Sequence, residues 1–292
     1  MQLPLGLSYR QGELWLTCPE GDNSTQQFRI RSILHEETTP FQHLMMLDTY
    51  DFGTALVLDG IIQTTAMDGF VYNEMIAHAP LSLKPRAEKV LIIGGGDLGA
   101  AREVLKYDNV QQVDMVEIDA AVVRACQRFL PEVAGSSNEP LDERLNIHYA
   151  DGTEFVANTS TEYDAIIVDS SDPIGPAVEL FSQPFYQNLK TCLRPGGILS
   201  CQSLSPYYSM IMLRHIRDVL GIFFPVVETC QAVIPTYAGG LYSFTLASSE
   251  ALPSYQSASI PDEVQYVSSQ VLSSSFSFPP FLAQQLVEEE DQ

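Results

Sequence analysis

Basic residues are scarce in this chain of 292: 15 lysines and arginines stand against 37 acids, a net charge of −22. So acidic a surface repels phosphate backbones and anionic lipid, which argues against nucleic acid and membrane surfaces as partners. It attracts cations, small polyamines among them, although solubility alone is the plainer explanation of the charge. Long apolar runs are also missing. None approaches the roughly 20 residues of a membrane span, and no basic-then-apolar leader opens the chain. The five cysteines (Cys18, Cys126, Cys192, Cys201, Cys230) are odd in number, scattered and without a CxxC pair, so structural zinc and a disulfide framework are not expected. The five histidines show no metal-ligand spacing, and no metal is assigned. These absences describe a reduced, cytoplasmic protein. Its 45% hydrophobic content is still enough for a large core.

What is present divides at about residue 66. Residues 1–66 carry "QFRIRSILHEE" and "HLMMLDTYDFGTALVLDGIIQTT", short alternating or apolar runs broken at Tyr50–Gly53 and at "LDG", the pattern of antiparallel strands and hairpins. From residue 67 to 292 the pattern changes. "GFVYNEMIAHAPLSL" has helical spacing, and then apolar strands ("KVLIIGGG", "QVDMVEID", "LNIHYAD", "YDAIIVDSS", "GGILSCQS") alternate with helices before "GGLYSFTLAS" closes the series. Such alternation predicts a parallel sheet covered on both faces. The Ser-rich tail predicts a weak helix, and its acidic end "LVEEEDQ" reads as a solvated terminus.

The chemistry gathers where strands end. "VLIIGGGDLGAARE" places Gly94, Gly96 and Gly99 in a G-x-G-x-x-G turn between strand and helix, with Glu117 ending the next strand about twenty residues on. That turn serves dinucleotide enzymes and adenosyl-sulfonium enzymes alike. Asp97 inside it would repel a pyrophosphate and welcome a cation, which disfavours an NAD-dependent dehydrogenase. Asp151 ends another strand, within reach of an adenine amino group. "YDAIIVDSSDPIGPAVELF" then runs four apolar residues into Asp169 and Asp172 and a proline-stiffened loop. In open α/β sheets ligands sit outside the carboxyl ends of the strands. Five carboxylates converging there are costly unless cations occupy the crevice.

These pieces resemble the polyamine aminopropyltransferases, most of all the members that make spermidine. "LVLDGIIQTT", "GFVYNEMIAHAPL", "VLIIGGGDLGAARE", "MVEID", "DSSDPIGPAVELF", "RPGGIL" and "IPTYAGG" follow in the family's order from about residue 15 to 247, and "FSFPPFLAQQL" looks like its closing helix. The resemblance implies a small antiparallel β-domain followed by a methyltransferase-like (Rossmann-type) doubly wound α/β domain. It implies a homodimer or homotetramer and no metal or cofactor, with decarboxylated S-adenosylmethionine as co-substrate and putrescine as acceptor. By position in the motifs, Asp169 is the general base. Gln42, Asp97, Glu117, Asp151, Gly152 and Pro176 hold the donor, Asp97 taking its amino group, Glu117 the ribose and Asp151 the adenine. Gln63, Tyr72, Asp172, Gln202 and Tyr237 line the acceptor tunnel, Tyr72 and Tyr237 sharing a proton relay, with Trp15 at its mouth.

Four departures from the family's pattern stand out. Leu98 replaces a glycine of the turn, Gly69 replaces an acid, Asn73 replaces a common histidine, and "QSLS" at 202–205 lacks a glutamate. The two lost carboxylates predict a weaker grip on the far ammonium of the acceptor. Another amine acceptor, a class I methyltransferase of small amines, or a catalytically silent polyamine-binding protein are the competing readings.

Overall fold

The computed structural model describes residues 3–21, 23–136, 140–173 and 175–286, with the side chain of Pro176 set aside. The acidic end of the tail beyond Leu286 lies outside them. Alternating residues near the N-terminus build a six-stranded antiparallel meander: β1 (Leu7–Arg10), β2 (Glu13–Glu20), β3 (Ser24–Thr38), β4 (His43–Thr49), β5 (Thr54–Leu58) and β6 (Ile61–Thr65). Period-two alternation sends its residues into two different cores. Met45, Leu47, Ala55 and Val57 pack with Leu16 and Ile30, while Leu44, Met46 and Leu56 face the other way and join the main core.

α1 (Gly69–Leu81) follows and is buried on nearly every side, as its mostly apolar sequence requires. Then come β7 (Lys89–Gly94), α2 (Gly99–Leu105), β8 (Gln112–Glu117), α3 (Ala120–Phe129), α4 (Pro131–Ala134), β9 (Leu145–Tyr149), α5 (Gly152–Asn158) and β10 (Tyr163–Asp169). A 3₁₀ turn over Gly175–Phe181 leads to α6 (Gln183–Cys192), β11 (Leu193–Gln202), α7 (Met210–Phe223), β12 (Val226–Val233) and β13 (Leu241–Ser248). The continuous apolar strands are explained by burial on both faces. Val90, Ile92, Ala165 and Ile167 enter the core under α1 and α2, and Leu91, Ile93, Ile166 and Val168 enter the one under α6 and α7.

The second sheet runs β12-β13-β11-β10-β7-β8-β9. It is parallel only from β11 to β9, because β13 pairs antiparallel with both β11 and β12. The parallel sheet predicted by alternation is therefore mixed at one edge, and β12 is an additional strand. Residues 234–240 between β12 and β13 are too short for a crossover and can only make a hairpin. Strand order reverses between β7 and β10, and there Gly94 and Asp169 are register partners.

The tail carries α8 (Ser269–Ser275) and α9 (Pro280–Gln285). It is pinned across α1: the buried Glu74 carboxylate accepts hydrogen bonds from the backbone N–H groups of Gln265, Tyr266 and Val267 at 2.7–2.9 Å.

Candidate active site

At that reversal a cleft opens between the two sheets. Its walls include Gln42 and Gln63 from the small sheet, Tyr72 from α1, Asp97, Glu117, Asp151, Gly152, Asp169 and Asp172 from strand ends, and Tyr237 from the β12–β13 hairpin. Residues up to 195 apart in sequence thus meet in one space. Pro176 falls among the side chains outside the description. Gln202 does not reach the lining. It is buried behind it, donating from Nε2 to the Ser171 carbonyl (3.3 Å) while its Oε1 accepts from Leu204 N–H (3.0 Å) and the Tyr242 hydroxyl (2.7 Å). It ties Ser171, Leu204 and Tyr242 together behind the wall.

The floor is the glycine turn. A side chain on Gly94 would overlap the Asp169 carbonyl oxygen, and one on Gly96 would stand 2.7 Å from Glu117 Oε2, so the turn and the two carboxylates are built against one another. Glu117 is fixed by Asp119 N–H at 2.8 Å, and Asp97 by Gly99 N–H at 2.8 Å. Asp151 caps α5, its Oδ1 accepting from Thr153 N–H, the Thr153 hydroxyl and Glu154 N–H. Among the described residues its Oδ2 has no hydrogen bond. Asp119 joins the two sheets: its Oδ2 accepts from Thr39 Oγ1 at 2.7 Å and from Gln42 Nε2 at 3.0 Å.

On the other side stands the acid–tyrosine pair. The Tyr72 hydroxyl donates to Asp169 Oδ1 at 2.7 Å. Tyr72, Tyr237 and Tyr242 form a ring cluster, with centroids 4.8–6.2 Å apart, which presents aromatic faces suited to ammonium groups. The Tyr237 hydroxyl donates to the Gln63 carbonyl at 2.6 Å, so among the described residues it is Tyr72, not Tyr237, that hydrogen-bonds the Asp169 carboxylate. Asp68 orients both tyrosines, receiving Thr65 Oγ1 at 2.6 Å and, from the hairpin, Thr236 N–H and Oγ1 at 2.8 and 2.6 Å.

Two expectations about acceptor grip change. A side chain at position 69 would collide with Thr64 and Val133, and Gly69 is not among the lining residues, so its missing acid removes nothing from the cleft. Leu204, which stands where the glutamate would, does line it, so the second missing carboxylate is a real difference. Leu98 keeps the turn's shape by adopting φ 68°, at a cost of about 1–2 kcal/mol for a non-glycine residue, and its buried side chain joins the main core. Asn73 hydrogen-bonds Asp97 and donates to the Gly69 carbonyl at 3.0 Å. Trp15 does not line the cleft. The β2 residues that do are Cys18, Pro19 and Glu20. Glu20 and Tyr242 in the lining, and Asp119 behind it, are positions that the sequence reading passed over.

The charges explain one another. Burial, then the neighbouring Asp97 charge, pushes Asp169 up to about 8, against the lowering hydrogen bond from Tyr72. Burial pushes Glu117 up to about 7, and Asp97 and Asp172 are also raised, chiefly by burial. Asp151 lies below the ordinary carboxylate range because its capping hydrogen bonds outweigh burial. Carboxyls raised above their unfolded value near 4 favour the folded state most at low pH, and that contribution fades as pH rises through about 7–8. A bound cation reverses the penalty. The ligand-free protein is therefore expected to melt lower at pH 9 than at pH 6. Saturating putrescine, still charged at both, should raise the melting temperature more at pH 9. A ligand-induced shift independent of pH would mean that the cleft acids are ionised throughout.

Comparison with known proteins agrees with this geometry. The spermine/spermidine synthase domain matches residues 69–257, and the spermidine synthase tetramerisation domain matches residues 14–66. The polyamine aminopropyltransferase of Desulforudis audaxviator is 43% identical over 276 residues, 92% of this chain and 98% of that protein. That of Bacillus subtilis is 37% identical over 278 residues, 93% and 98% of the two chains. A spermidine synthase solved in complex with the transition-state analogue AdoDATO superimposes with a TM-score of 0.88 at 32% identity, covering 97% of this chain and 98% of that one. The spermidine synthase from Thermotoga maritima gives 0.87 at 32% identity, with 97% of each chain covered. Sequence match and fold both span nearly the whole chain, and it belongs to the spermine/spermidine synthase family.

Proposed function

We propose that the protein transfers the 3-aminopropyl group of decarboxylated S-adenosylmethionine to putrescine, releasing spermidine and 5′-methylthioadenosine. The observation that carries this is the Tyr72–Asp169 pair, set at the strand-order reversal between a glycine-and-acid floor and a tyrosine-lined arm. The donor brings its own leaving group. Its reactive carbon is bonded to a sulfonium, so the enzyme needs only a neutral amine aimed at that carbon. Diamines are protonated at neutral pH, with pKa values near that of lysine. Asp169 accepts the proton from the attacking nitrogen, and its raised pKa suits a base working near neutrality. The new N–C bond forms as the C–S bond breaks, and the electron pair leaves with sulfur. Alignment of nitrogen, carbon and sulfur supplies much of the rest of the rate.

In this reading Asp97 takes the amino group of the transferred chain, Glu117 the ribose hydroxyls, and Asp151, through its free Oδ2, the adenine amino group, with Gln42, Gly152 and Pro176 completing the donor side. Gln63, Tyr72, Asp172 and Tyr237 serve the acceptor, and Gln202 serves it by holding Tyr242. Residues 1–66 form the assembly unit of a homodimer or homotetramer and residues 67–292 the catalytic unit. The protein works in the cytoplasm without metal or cofactor. Among the described residues no helix is long and apolar enough to cross a membrane.

The test is methylthioadenosine release from decarboxylated S-adenosylmethionine across a panel of diamines and triamines, compared as kcat/KM. Putrescine is expected to lead. Another amine ahead by more than about tenfold, roughly 1.4 kcal/mol in transition-state binding, would keep the reaction and change the acceptor. No release with any amine would sink the reading. Calorimetric titration separates the methyltransferase alternative: the carboxylates of the cleft should bind S-adenosylmethionine, which has a carboxylate of its own, more weakly than the decarboxylated donor.

A further inference from the structure

Two acids of the small sheet, Glu20 and Asp59, line the cleft, and Glu20 is the one on which the Asp172 charge acts. Glu20 is the last residue of β2, and with Cys18 and Pro19 it lines the cleft. Leu16 and Cys18, on the same face of the strand, are buried, and the two-residue alternation brings position 20 to that face. Asp172 and Tyr242 line the same cleft, the Tyr242 hydroxyl donating to Gln202 Oε1. The Asp172 charge adds to burial in raising Glu20, and the Glu20 charge is felt at the Tyr242 hydroxyl. Among the described residues no lysine, arginine or histidine forms a salt bridge with Glu20, Asp172, Asp169 or Asp97. Leu204, where the family's pattern has a glutamate, offers no charge to the same cleft.

We propose that Glu20, together with Asp172, holds the far ammonium of the acceptor and so sets the preference for a diamine over a monoamine. The assignment rests on the aminopropyl-transfer reading. The attacking amine must lose its charge at Asp169, but the amine at the other end keeps its own and needs a counter-charge out of water. The methylene stem between them lies along Tyr72, Tyr237 and Tyr242. A second carboxylate lets the ammonium use more of its three donors. Glu20 supplies to the same cleft the charge that Leu204 does not.

The experiment compares putrescine with n-butylamine, which keeps the chain and lacks the far ammonium, in the wild-type protein, Glu20→Gln and Glu20→Asp. Each amine is read as kcat/KM for methylthioadenosine release at saturating donor, or as a competitive inhibition constant against putrescine where turnover is too slow. Glu20→Gln should cut kcat/KM for putrescine by about tenfold to a hundredfold, the effect of losing one charge-assisted hydrogen bond. The loss should fall on KM, with kcat nearly unchanged, and butylamine should move by less than twofold. Glu20→Asp should regain part of the putrescine preference. An unchanged putrescine-to-butylamine ratio in Glu20→Gln, or an equal loss for both amines, overturns the role of Glu20 while the reaction stands. If the wild-type protein releases no methylthioadenosine with any amine, the reaction itself is wrong and the assignment falls with it.

Discussion

Asp169→Asn is expected to lower turnover by roughly two orders of magnitude or more, the range of lost general-base catalysis. Asparagine has the same shape and can still accept the Tyr72 hydroxyl, which sits 2.7 Å from Asp169 Oδ1. It cannot accept a proton from an ammonium. The arriving amine would stay charged in a site with no other base so placed, because burial and then the Asp169 charge hold the Tyr72 hydroxyl far above neutrality. Donor affinity should change little, since Asp97, Glu117 and Asp151 carry that load. Stability should hold or rise, because the substitution removes a buried acid that burial and the Asp97 charge already disfavour. The checks are single-turnover rates, donor titration and melting temperature on the same preparation. A turnover loss under about fivefold would remove Asp169 from the role of base.

Much of this site was legible because it is local. A strand, a glycine turn and a helix follow one another within fourteen residues of "VLIIGGGDLGAARE", and the rule for open sheets places Asp97, Glu117, Asp151, Asp169 and Asp172 at one rim before any coordinates exist. The same rule hid Tyr242. β13 runs antiparallel, so its amino end, not its carboxyl end, reaches the cleft. Its one signal was alternation: Tyr242, Phe244 and Leu246 continue a single face. Glu20 was hidden differently. It belongs to the other sheet, which the packing of Leu44, Met46 and Leu56 into the main core and the bonds of Thr39 and Gln42 to Asp119 bring over the cleft. Gln202 went the opposite way, placed on the lining by motif and drawn behind it by the competing demands of Leu204 N–H and the Tyr242 hydroxyl. Long-range satisfaction of buried polar groups decided each of these cases, and spacing along the chain carries little trace of it.

The largest stability effect is expected at a residue with no side chain. Gly94 closes β7 with φ 84°, and it is the register partner of Asp169. Two separate penalties meet a side chain there. The left-handed backbone costs an alanine about 1 kcal/mol, and the added carbon would overlap the Asp169 carbonyl oxygen, which is backbone and cannot swing aside. Gly12 separates the two penalties, since its φ is 83° and a Cβ there would meet nothing within 4 Å. Gly12→Ala should therefore lose about 1 kcal/mol and keep full activity. Gly94→Ala should lose about 3 kcal/mol or more, the size reserved for strain at a special backbone position. Relief can come only by parting β7 from β10, and that separation carries Asp169 away from Tyr72 and loosens the Gly95 N–H bond to the Asp169 carbonyl. Activity should fall at temperatures where the variant is still folded. Denaturant midpoints and turnover measured on both variants make the comparison. Equal losses of stability would mean that the positive φ alone demands glycine at 94 and that the approach of the two strands does not.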